Sequence, residues 1–137
     1  MKAIFLARRL ARMAWARKAE DITILDMRGV SDVNDFVVLC TGSVGMHVRA
    51  VTDFVTDEAR KLGQRAYVTE KESDAWMLVD FVDVTLHCLQ PEKRRIMDLE
   101  DLWKDAVTMP VDPDTGTAMS LKDARLLATK KRGKKHA

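Results

Sequence analysis

Residues 76–90, WMLVDFVDVTLHCLQ, gather a Trp, two Asp, a His and a Cys within fifteen positions. Those residue types serve acid–base catalysis, metal ligation and macromolecular docking. The backbone decides among these uses. The stretch reads as two β-strands, in which successive side chains point to opposite faces. With Val82-Asp83 as a two-residue hairpin loop, Phe81 pairs with Val84, Asp80 with Thr85, Leu78 with His87 and Trp76 with Leu89. Directly opposed residues share a face. One face is then Met77, Val79, Phe81, Val84, Leu86 and Cys88, wholly apolar and destined for the core. The other is Trp76, Leu78, Asp80, Thr85, His87 and Leu89, mixed polar and aromatic.

This sorting weakens the catalytic and metal readings. His87 and Cys88 are sequence neighbours on a strand, so they cannot ligate one ion together. A two-metal site wants carboxylates side by side, whereas Asp80 and Asp83 differ in strand parity and Asp83 falls in the turn. No G-x-S-x-G nucleophile elbow occurs. Gly42-Ser43, opening a predicted helix, could cradle a phosphate, without the remaining glycines or lysine of a nucleotide-binding loop. It carries the alternative reading, a nucleotidyltransferase-like nucleotide-binding enzyme. No metal and no cofactor is expected. The mixed face, a Trp among polar groups on an open sheet, has the make-up of a protein-binding surface. The competing reading packs Trp76 beneath a terminal segment of the same chain.

The elements that position this hairpin follow from periodicity. Residues 1–18 predict a helix, with Ala3, Leu6, Leu10 and Met13 on one side and Arg8, Arg9 and Arg12 on the other. DITILDM (21–27) and DFVVLCTG (35–42) predict strands, the second apolar enough to be covered on both faces. Ser43 is the expected N-cap of a helix carrying Val44, Val48, Val51, Val55 and Leu62, and Gly63 its stop. RAYVTEK (65–71) predicts a strand. Pro91 suits the first turn of a last helix, with Ile96, Leu99, Leu102, Trp103 and Ala106 on its buried side. The order α-β-β-α-β-β-β-α predicts an α/β sandwich around a mixed sheet of about five strands with flanking helices. The domain is expected to span residues 1–108, and 109–137 to form a linker and a basic, disordered tail with at most a short helix at SLKDARLLATKK.

At 137 residues, 47% hydrophobic and 32% charged, the chain fits one globular domain. Cys40 and Cys88 lie inside apolar strands and read as reduced core residues suited to a reducing cytoplasm. The acid-free, Arg-rich first 18 residues also fit an organelle presequence, an alternative to a core helix. Net charge is +2, yet the last eight residues hold Lys130, Lys131, Arg132, Lys134 and Lys135, leaving the rest at −3. Such a run is either a solvated tail or an RNA-phosphate contact.

Four blocks in order, KAEDITILDM, SDVNDFVVLCTGS with HVRAV, WMLVDFVDVTLH and LEDLWKDA, resemble the Iojap-related ribosomal silencing factors over about residues 18–107. The resemblance implies a nucleotidyltransferase-like topology without the catalytic carboxylates, and a non-enzymatic role. It implies binding to the large-subunit ribosomal protein L-fourteen, blocking of subunit joining and damping of translation under nutrient limitation. Organellar members assist large-subunit assembly, and a homodimer is compatible with the fold. Trp76, Asp80, Asp83 and His87 match family positions in or near the partner-binding region; Leu78 and Thr85 join them by sharing the face. Arg94 and Glu100 match the stretch along the last helix. This chain departs from the family at Val82, where members usually carry Gly. A two-residue hairpin loop calls for φ > 0, which Val resists. It also carries Ile96-Met97 in place of an aromatic pair, and Gly42-Ser43-Val44 in place of Gly-Thr-Ser.

Overall fold

Apolar periodicity places the first helix, α1, at Ala3–Ala16, where Leu6, Leu10 and Ala14 turn inward every three to four residues. The computed structural model describes the backbone of residues 1–136 and the side chains of residues 1–130. After α1 come β1 (Glu20–Asp26), β2 (Phe36–Thr41), α2 (Gly45–Lys61), β3 (Tyr67–Glu72), β4 (Trp76–Asp80) and β5 (Val84–Leu89). Then follow α3 (Pro91–Met97), α4 (Leu99–Leu102), β6 (Val107–Pro110) and α5 (Leu121–His136). The mixed sheet has six strands in the order β3-β4-β5-β2-β1-β6, one more than the five expected. β2 and β5 run parallel at its centre, and every other neighbouring pair is antiparallel.

Helices α1 and α2 cover one face. Their Leu10, Ala14, Val48, Val51 and Val55 share a core with Ile24, Phe36, Val38, Val79, Leu86 and Cys88. The opposite face is covered only in part. There Leu99 and Ala106, with Met97 and Trp103, pack on Leu25, Val37, Leu39 and Leu89 of the central strands. All six residues of β3 are exposed at the sheet edge.

Three expectations meet a different outcome. The helix from Pro91 is not continuous. Asp98 takes a left-handed conformation (φ 42°), and its N–H donates to the Arg94 carbonyl, ending α3 and resetting the phase for α4. Of the side expected to be buried, Leu99 and Ala106 are buried, but Ile96 and Leu102 are 59% and 68% exposed. Ser43 is not the N-cap of α2; Val44 holds that position, because Ser43 is tied through its N–H to Nδ1 of His47 at 2.9 Å. Finally, β6 runs across position 108, where the domain was expected to end. Met109 alternates inward to pair with Ile24, and Met109, Val111, Ala118 and Ala124 lie in the core shared with α1 and α2. We therefore place the end of the packed unit beyond residue 108, with α5 attached to it.

Candidate docking surface

The hairpin of β4 and β5 has the register that strand parity predicts: Trp76 opposite Leu89, Leu78 opposite His87, Asp80 opposite Thr85. Its two-residue loop closes through Phe81 N–H to the Val84 carbonyl, 2.9 Å. Val82 accommodates the loop at φ 76° with its side chain exposed. The Asp83 N–H bonds back to the Phe81 carbonyl at 3.1 Å, so Val82 is the central residue of a positive-φ γ-turn, a rare and strained type. The turn is held from three sides. Asp80 Oδ1 accepts from the Val82 N–H at 2.7 Å. The Val82 carbonyl accepts from the Asn34 amide at 2.8 Å, and the Asp83 carbonyl accepts from the Asp35 N–H at 2.8 Å. Asp80 and Asp83 are thus engaged in building the turn. Val82→Gly is expected to raise unfolding stability by about 1 kcal/mol, the left-handed penalty of an L-residue less the entropic cost of glycine. A denaturant midpoint that fails to rise would show that the turn is unstrained.

Behind the strand surface lies a stack. The Trp76 indole N–H donates to Nδ1 of His87 at 3.0 Å, with ring centroids 5.9 Å apart. Trp103, at the end of α4, meets His87 edge-on at 5.8 Å. His87 is only 7% exposed. Burial, then the nearby Lys71 charge, push its pKa down to about 4, against the opposing pull of Asp80. The imidazole is therefore neutral near pH 7, which lets Nδ1 accept the indole proton. Lys71 also sits 5.8 Å over the outer face of Trp76.

Of the residues expected on the docking face, Trp76, Leu78 and Asp80 are half-buried and reach its surface, while Asp83 is exposed in the turn. Thr85 and His87 lie beneath it, 5% and 7% exposed, because α3 and α4 cover the centre of that face. The Thr85 hydroxyl is buried with no protein partner among the described residues. Trp76 also packs within the cluster of Met97, Leu99, Trp103 and Ala106, a later segment of its own chain though not the terminal one that the competing reading named. Tyr67, 73% exposed, lies directly opposite Asp80 on β3, and Thr69 opposite Leu78. Both escaped the sequence reading, which had no register for β3; extending hairpin parity one strand outward would have found them. Arg94 is a clamp, donating to the Asp21 carbonyl at 2.6 Å and the Thr41 hydroxyl at 3.0 Å, and pairing with Glu100 at 3.3 Å. Lys130 is exposed on α5; the side chains of Lys131, Arg132, Lys134 and Lys135 lie outside the described residues.

The Gly42-Ser43 alternative finds its anchor already in use. A methyl group at Gly42 would come within 2.6 Å of Val48 Cγ2, so this glycine permits close packing of strand on helix. At Gly45, the first residue of α2, a methyl group would overlap the Asp74 carboxylate. An acid of the chain itself thus occupies the helix start where a phosphate would sit.

Fold and surface together define an α+β sandwich with a six-stranded mixed sheet, one strip of which no helix covers. The chain belongs to the family described as "Ribosomal silencing factor during starvation", whose model matches residues 1–137. It is 36% identical over 97 residues to the ribosomal silencing factor RsfS of Bacillus subtilis, covering 70% of this chain and 82% of that protein. It is 26% identical over 106 residues to the chloroplastic protein Iojap of Zea mays, covering 77% of this chain and 46% of that one. A crystal structure of a Chromobacterium violaceum protein superposes with a TM-score of 0.71 at 28% identity, covering 76% and 88% of the two chains.

Proposed function

We propose that the chain acts as a ribosomal silencing factor by docking the strip formed by Tyr67, Trp76, Leu78 and Asp80 on the large-subunit ribosomal protein L-fourteen. Seated there, in the cytoplasm, the domain keeps the small subunit from joining and damps translation when nutrients are short. The observation carrying this reading is the strip itself: aromatic and aliphatic groups, rimmed by charge, on an exposed edge strand and a half-exposed neighbour that the chain's own helices cover only in part. Thr85 and His87 serve it from below, His87 by fixing the Trp76 ring. No carboxylate pair or nucleophile is needed for steric exclusion.

Co-sedimentation with isolated large subunits at moderate salt is the test. Tyr67→Ala alters an exposed side chain, so its unfolding midpoint should stay within about 0.5 kcal/mol of the parent. Its affinity for large subunits should fall about tenfold or more, as for an aromatic interface anchor. Absence of wild-type binding, or a Tyr67→Ala protein that sediments like the parent, removes the strip from the interface.

A further inference from the structure

The opposite side of the molecule carries a second surface that the sheet face does not account for. Residues 1–19 hold six cations and no acid. Elsewhere many cations are paired: Arg49 with Glu70, Arg60 with Asp57, Lys61 with Glu58, Arg94 with Glu100 and Arg95 with Glu92. Those without a carboxylate partner among the described residues, such as Arg65, Lys71, Lys104 and Lys122, are scattered along the chain. Among the described residues, none of Arg8, Arg9, Arg12, Arg17 and Lys18 has a carboxylate partner within 4 Å, although all five are exposed. Arg8, Arg9 and Arg12 rim a groove of about 410 Å³ whose walls include Met13, Ala16 and Phe54. The Arg17 guanidinium lies 4.2 Å over the Phe54 ring. Glu58 also lines the groove, and its carboxylate is held by Lys61 at 2.8 Å.

We infer that this groove binds single-stranded or looped RNA, the arginines taking phosphates and the Phe54–Arg17 stack taking an unpaired base. Arg12 lies three residues beyond Arg9 and four beyond Arg8, so it neighbours both on one side of the helix at about 5–6 Å, and the three present planar forks suited to phosphate oxygens. A cationic rim around an aromatic platform is how proteins hold unstacked RNA. The preference for RNA over other polyanions rests on the ribosomal reading proposed above. The site itself does not, because α1 and the strip lie on opposite faces of the sheet.

The experiment therefore uses no ribosomes. Anisotropy of a labelled single-stranded RNA oligonucleotide is followed with the full chain between about 50 and 200 mM salt, the range over which phosphate contacts lose affinity steeply. Arg8→Gln/Arg9→Gln/Arg12→Gln keeps helix-forming side chains at three exposed positions. It should weaken binding at least tenfold and flatten the log–log salt slope by about 2, roughly 0.7 per lost single-strand phosphate contact. Phe54→Leu should weaken binding severalfold with the slope unchanged, since stacking releases no counterions. Deleting residues 130–137 should leave the effect of the triple substitution intact, and Tyr67→Ala should bind RNA as the parent does. An unchanged slope in the triple variant overturns the assignment. So does tighter binding to phosphatidylserine vesicles than to RNA at equal salt, or a loss of RNA binding in Tyr67→Ala.

Discussion

Acidification from pH 7 to pH 4 is expected to remove about 3 kcal/mol of stability through His87 alone. Its folded pKa is lowered to about 4 from the ordinary 6.5, first by burial and then by Lys71. At about 1.36 kcal/mol per pKa unit, that difference is on the order of 3 kcal/mol. Between the two values the unfolded chain takes up the proton and the folded one resists it. The contribution is therefore fully present above pH 6.5 and lost as pH falls through 4. Protonation also ends the Trp76 contact, because an imidazolium has no acceptor nitrogen to offer. Asp26 behaves in the same sense at lower pH. Although burial opposes it, its contacts with Arg28, at 2.9 Å through both carboxylate oxygens, hold the carboxyl below its usual range, so that stability is lost in stronger acid. Urea unfolding midpoints from pH 7 to pH 4 check the His87 term. His87→Phe should flatten the profile in this window, and a variant with the parent's slope would assign the acid lability elsewhere.

Trp76→Ala carries the second large effect, and it has two parts. Fully buried Trp→Ala changes cost about 3–5 kcal/mol. Trp76 is half-buried, which scales the loss to about 2–3 kcal/mol, with His87 losing its donor in addition. In the proposed interface the same ring should also be worth about 2 kcal/mol or more in binding to the large subunit. Trp76→Phe separates the parts: most of the packing area stays and the indole donor goes, so the stability loss should shrink to about 1 kcal/mol. Unfolding midpoints and large-subunit affinities are measured on both variants at a temperature where both are folded. A Trp76→Ala protein as stable as the parent would mean that the stack on His87 is not a structural element.

Local pattern reached far into this protein. Alternation over residues 76–89 determined the hairpin register, put Cys88 in the core and separated it from His87. A strand's side-chain period of two leaves no other choice once one face is apolar. Helical spacing likewise located α1 and α2, and Gly63 ended α2 at φ 75°. Val82 shows local preference yielding to context: the strand register and the hydrogen bonds that hold the turn outweigh one residue's reluctance to adopt positive φ. What the tertiary structure alone decided is which part of the mixed face meets solvent. His87 and Thr85 alternate outward just as Trp76 and Leu78 do, yet α3 and α4 close over them because Asp98 turns the chain back across β5 and β2. β6 and the burial of Met109 were likewise invisible, since Val107–Pro110 becomes a strand only by pairing with β1, some eighty residues earlier in the chain. Such pairings depend on which edge lies open in three dimensions, and no short window of sequence records that.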